Sequence, residues 1–191
     1  MHGFDLLSTV FGRAEKLSAD PQSQASQDEV GVTVRYRMSL VSDIQRWHAS
    51  ASGHMRALLD ACRDQDPDRA IECLQRFAPI FRQIGLARSV LLCPYLRWAL
   101  QRDRAATIQF ESAYGELMRS TLLIEVILTD YLGSPWDSDR RRRFVHVVVR
   151  LANLFSRGME LENTSLLSIY LPPGQYRYVT DPAIKPVQPS A

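Results

Sequence analysis

Two charged residues stand on stripes of the chain that are otherwise apolar. Arg88 follows Leu74, Phe77, Phe81 and Ile84 at steps of three and four. Glu162 follows Phe144, Val148, Leu151, Phe155 and Gly158 in the same rhythm. That spacing lays one face of a helix against a core. A lone charge on such a face carries a heavy desolvation penalty, which an opposite, hydrogen-bonded charge offsets. The pattern therefore predicts an internal Arg88–Glu162 ion pair. Tyr114, on a third stripe, is the expected further partner through its hydroxyl. The alternative is a stripe displaced by one residue, with both charges turned to solvent.

The remaining residues capable of chemistry are scattered. Of the four histidines, His2 is terminal, and His48 and His54 are six positions apart, which separates them on a helix surface. No His-x3-His, His-x3-Glu or Glu-x2-His spacing occurs around them or His146, so the usual ligand spacings of di-iron bundles are missing. His54 adjoins the first stripe and reads either as a pocket residue or as a satisfied boundary residue. Cys62, Cys73 and Cys93 form no CxxC pair and read as small buried hydrophobes in a reducing compartment. The run Arg140, Arg141, Arg142, Arg143 falls in the first turns of a helix, where the dipole disfavours positive charge. It reads either as a solvated face, offset by Asp137 and Asp139, or as a patch for phosphate or an acidic partner. A glycine-rich phosphate loop, a nucleophile elbow and zinc spacing are all missing, so no catalytic residue is assigned and an enzyme is not expected.

Four helical patterns position these residues. The first runs from Ser39, as N-cap, to Asp64, with a stripe of Leu40, Ile44, Trp47, Ala51, Met55, Leu58 and Cys62. The second opens at Asp66-Pro67 and continues through Arg88 to Leu91 and Tyr95, with Pro79 and Pro94 expected to bend or interrupt it. The third starts near Asp103, carries Phe110, Tyr114, Leu117, Thr121, Ile124, Leu128 and Tyr131, and stops at Gly133-Ser-Pro135. The fourth is capped by Asp137 or Ser138 and extends through Glu162 to Ser165 and Ile169. Long stripes joined by short loops predict an all-α, antiparallel up-down four-helix bundle over residues 38–170. Residues 1–37 read as a short helix over 4–17 followed by a linker with an extended stretch at Val30, Val32 and Val34. Residues 171–191 read as an irregular Pro-rich tail, strapped over the bundle by Tyr176 and Tyr178.

The helix ends Leu91-Leu92-Cys93-Pro94-Tyr95-Leu96 and Glu162-Asn163-Thr164-Ser165-Leu166-Leu167-Ser168-Ile169-Tyr170 resemble the paired helix ends of the hemerythrin-like (HHE) family. The segment Gln109-Phe110-Glu111-Ser112-Ala113-Tyr114-Gly115-Glu116-Leu117 is similar to that family's third helix. Members bind a non-haem di-iron centre through His and carboxylate ligands, for oxygen binding, iron handling or sensing. The resemblance puts the ligand places near Ala51, Ile84, Arg88, Tyr114, Gly158 and Glu162. Of these only Glu162 keeps a ligand-type side chain. A shift to Gln83 and Ala87 restores none. The resemblance therefore implies the fold without a metal or other cofactor, iron entering only if a residual site survives.

The chain has 191 residues, 46% hydrophobic and 23% charged, with a net charge of +2. This bounds one globular domain and argues against nucleic acid as a bulk electrostatic partner. No apolar run is long enough for a membrane span, and the first residues do not read as a secretion signal, so a cytoplasmic location is expected. Three functions fit: a regulatory or adaptor protein that binds a protein partner, a sensor holding a small acidic ligand on Arg88 in a cavity opened at Ala51 and Gly158, or a residual iron protein built on Glu162, His54 and Tyr114.

Overall fold

A computed structural model describes residues 26–27 and 33–176. Apart from a two-residue antiparallel ladder, Ser26–Gln27 (β1) against Thr33–Val34 (β2), the described chain is helical. The helix expected over 4–17, His2 and Tyr178 lie outside the described residues.

Four long helices build the core: α1 (Leu40–Arg63), α2 (Pro67–Ala87), α4 (Arg104–Leu132) and α5 (Ser138–Leu161). A shorter α3 (Cys93–Leu100) prolongs α2. Local chemistry sets the helix starts. Asp66, Asp103 and Asp137 each accept a hydrogen bond from the backbone N–H three residues on, and Pro67 opens α2 where no donor is needed. Ser39 precedes α1 but makes no side-chain cap; its carbonyl accepts from the Ser42 hydroxyl. The α1–α2 turn closes with Asp66 N–H bonding the Ala61 carbonyl and Gln65 N–H bonding that of Cys62. Gln65 takes the left-handed position, at φ 58°, where glycine is the usual occupant.

Two turns depart from α geometry, and they occupy matching places. Arg88–Leu92 and Glu162–Leu166 are π turns, closed by Cys93 N–H to Arg88 O and Leu167 N–H to Glu162 O. Each begins at one of the two stripe-breaking charges. A π turn admits one extra residue, so the buried face advances by one position beyond it. Leu92 and Leu166 are buried where the stripes had Leu91 and Ser165, both only partly covered. Pro94 follows the first π turn rather than breaking the helix. Pro79 lies within an uninterrupted α2. Both Pro79 and Gln75, whose carbonyl has no proline N–H to accept from, are at the surface, where water can serve that carbonyl.

The first stripe also shifts. His48 and Ala61 are buried, whereas Trp47 and Cys62 are only partly covered. At one end of the helices Tyr36, Tyr95 and Tyr170 cluster, with the Tyr95 hydroxyl donating to Leu171 O at 2.5 Å. Tyr176 packs on this cluster and donates to Ile169 O, so the start of the tail is tied down. At the other end Tyr131, Trp136 and Phe144 pack together.

Candidate functional site

Each of the four long helical segments sends one polar side chain to a single interior point. Arg88 comes from the end of α2, Glu162 from the end of α5, His48 from the middle of α1 and Thr121 from the middle of α4. Arg88 donates through Nε to Glu162 Oε1 at 2.7 Å and through Nη2 to Oε2 at 2.9 Å. This is the two-pronged pairing that the planar guanidinium favours. Its Nη1 donates to Thr121 Oγ1 at 3.0 Å, and the Thr121 hydroxyl in turn donates to Leu117 O. His48 Nε2 lies 2.9 Å from Glu162 Oε2. An ionised carboxylate only accepts, so Nε2 carries the proton. His48 Nδ1 is buried without a hydrogen-bond partner among the described residues.

The cluster is dry. Arg88 is 3% exposed, Glu162 0% and His48 6%. Burial pushes the Glu162 carboxyl up, but hydrogen bonds and charge from Arg88, then His48, outweigh it and hold the pKa below the ordinary carboxylate range. A cavity of about 10 Å³ borders the group, lined by Ile84, Ser120, Thr121 and Gly158 among others. That is room for about one water molecule, not for a metabolite.

The other expected site residues separate from this point. Ala51 and Ile84 are buried one turn from His48 and Arg88 and supply only apolar surface. Gly158 packs under α4: a Cβ there would stand 3.4 Å from Leu117 Cδ1. Leu117 from α4 packs beside it, and only the small cavity described above remains where a ligand-sized one was expected. Tyr114 is corrected as a partner. Its ring stacks on Phe110 and lies 4.9 Å beneath the Arg97 guanidinium, while Thr121, two turns on, takes the hydrogen bond expected of it. His54 is partly exposed and stays outside the cluster. Sequence reasoning missed His48 because Trp47 was the more apolar neighbour. The signal was present in the four-residue step from Ile44 and the three-residue step to Ala51.

The arginine run also divides. Arg140 is a structural strut, bonding Asp130 through its carboxylate and backbone oxygen and covering the Tyr131 ring at 5.0 Å. Arg141 donates to Trp136 O, Arg142 pairs with Asp139, and Arg143 is exposed. The cysteines carry no sign of activation. Burial, above all, pushes Cys93 up to about 12 and raises Cys62 and Cys73. Cys62 is only partly buried, against the expectation for it.

The residues do not fit the di-iron centre that the resemblance would bring. Ala51, Ile84 and Gly158 offer no donor, Arg88 holds both oxygens of Glu162, and its positive charge opposes a cation. No group of three or more His, Cys, Asp or Glu among the described residues is arranged to hold a metal ion. No protein-family model, curated protein or solved structure matches the chain.

Proposed function

We propose that this chain is a metal-free hemerythrin-like bundle, up-down and antiparallel, that works as a regulatory or adaptor protein by binding rather than by catalysis. The observation that carries the reading is the Arg88 guanidinium clasped by Glu162 in the interior. A fixed organic cation there supplies the positive charge that a metal would otherwise bring to the carboxylate. His48 and Thr121 complete a polar knot with one side chain from each long helical segment. The antiparallel arrangement is supported by pairs that run in opposite directions along the chain. Arg82 meets Glu125 and Arg97 meets Glu111, while Arg140 meets Asp130 and Arg157 meets Glu116.

The knot leaves no space for a substrate, so this reading assigns the work to residues 1–37, the outer arginines of α5 and the Pro-rich tail. No helix among the described residues is long and apolar enough to cross a membrane. A cytoplasmic location suits the three unpaired cysteines. Elemental analysis of the full chain, purified from iron-supplied cells, tests the core of the proposal. Iron well below one atom per chain is expected. Stoichiometric iron would overturn the reading and return the protein to iron, oxygen or redox sensing. A pull-down with and without residues 1–37 then asks whether that arm recruits a partner.

A further inference from the structure

An open groove of about 870 Å³ lies at the Trp136 end of the helices, far larger than the interior cavity. One wall is the end of α1, the turn after it and the start of α2. The other is Trp136 and the first turns of α5. Its volume falls in the range of about 300–1,000 Å³ typical of small-molecule sites. Its aromatic surface is Trp136, which is partly exposed and is backed by the buried Phe144 in an edge-to-face contact with ring centres 4.5 Å apart. Trp136 is fixed by its indole N–H donating to Tyr131 O at 2.7 Å.

The rim is cationic. Arg63, Arg141 and Arg142 line it beside the imidazole of His146, against the carboxylate of Asp66 alone, which is engaged in capping α2. Arg63 is matched by Asp60 and Asp64, and Arg142 by Asp139. Arg141 differs. Its Nε is anchored to Trp136 O at 3.2 Å, and no carboxylate pairs with it among the described residues. That anchor orients the guanidinium and leaves its terminal N–H groups free to receive an anion. Arg141 also sits in the first turn of α5, where the helix dipole already attracts negative charge. The aromatic surface of Trp136 beside the unmatched guanidinium of Arg141 calls for an occupant with both properties.

We infer that this groove binds a small planar aromatic anion, its ring against Trp136 and its acidic group on Arg141. This deepens the binding-protein reading of the preceding subsection and rests on it. The two fail differently: stoichiometric iron bears on the interior and not on the groove, whereas loss of groove binding leaves the metal-free bundle standing.

The test is a fluorescence titration of the full chain with anilinonaphthalene sulfonate, beside its uncharged relative phenylnaphthylamine. Saturable one-to-one binding of the sulfonate is expected. Arg141→Gln should weaken it about tenfold, the loss of one charge-assisted contact. Val145→Trp, which fills the groove from its exposed wall, should weaken both probes. The sulfonate should also slow alkylation of Cys62, which lines the groove, at a rate that tracks occupancy. Sulfonate binding that Arg141→Gln leaves within twofold, equal affinity for the uncharged probe, or no saturable binding would each overturn the inference. Both variants alter exposed positions, and an unchanged unfolding midpoint separates loss of binding from loss of fold.

Discussion

Glu162→Gln keeps the shape of the buried side chain and removes the charge that neutralises Arg88. In the parent, both carboxylate oxygens accept from the guanidinium and one also accepts from His48. The amide replaces one acceptor with an NH2 group. Whichever way it turns, that donor faces either Arg88 Nε or the donors of Arg88 Nη2 and His48 Nε2. The arginine stays 3% exposed, without a counter-ion and with no room to admit more than about one water. Removing one partner of a buried pair costs about 3–5 kcal/mol. For a chain of this size, each kcal/mol lowers Tm by about 2–4 °C, so a fall of about 6–20 °C is expected. Urea unfolding with an unchanged slope gives the free energy directly. The double variant Arg88→Met/Glu162→Leu removes both charges together. Replacing a buried pair by apolar groups is often neutral or stabilising by about 1–4 kcal/mol, so it should recover most of the loss. A single variant within about 1 kcal/mol of the parent, or losses that simply add in the double variant, would refute a solvent-excluded, coupled pair.

His48→Leu removes one hydrogen bond to a charged group, worth about 1.5–3 kcal/mol, together with the unpartnered Nδ1. Urea unfolding should show a smaller loss than for Glu162→Gln. Gln65→Gly relieves a left-handed backbone at φ 58° and should raise stability by about 0.5–1 kcal/mol, measured as a rise in Tm. Because the folded-state pKa of Glu162 is depressed, its stabilisation is fully present above the unfolded value of about 4.3 and is lost as pH falls through the folded value. The stability gap between parent and Glu162→Gln, followed by urea unfolding from pH 7 downward, should hold until about pH 4 and narrow below it.

Much of the fold was legible because it rests on local rules. The three aspartate caps, the Asp66-Pro67 start and the Gly133-Ser-Pro135 stop depend on neighbours a few residues away, and the helix boundaries follow them closely. The phase of the stripes was legible only up to each π turn. Beyond Arg88 and Glu162 the extra residue rotated the buried face from Leu91 to Leu92 and from Ser165 to Leu166. A periodicity of 3.6 residues carries no sign of such an insertion.

By itself, the sequence determined that Arg88 and Glu162 continue apolar helical stripes, because the spacing of a helix face is set by residues three and four apart. Tertiary structure alone decided how those charges are satisfied. It brought His48 from α1 and Thr121 from α4 to the same carboxylate and guanidinium, and it turned Tyr114 aside onto Phe110 and Arg97. The physical reason is range. Helical phase is set over a few residues, whereas the partners of a buried charge are chosen by how four helices, separated by 33 to 114 positions in the chain, pack against one another.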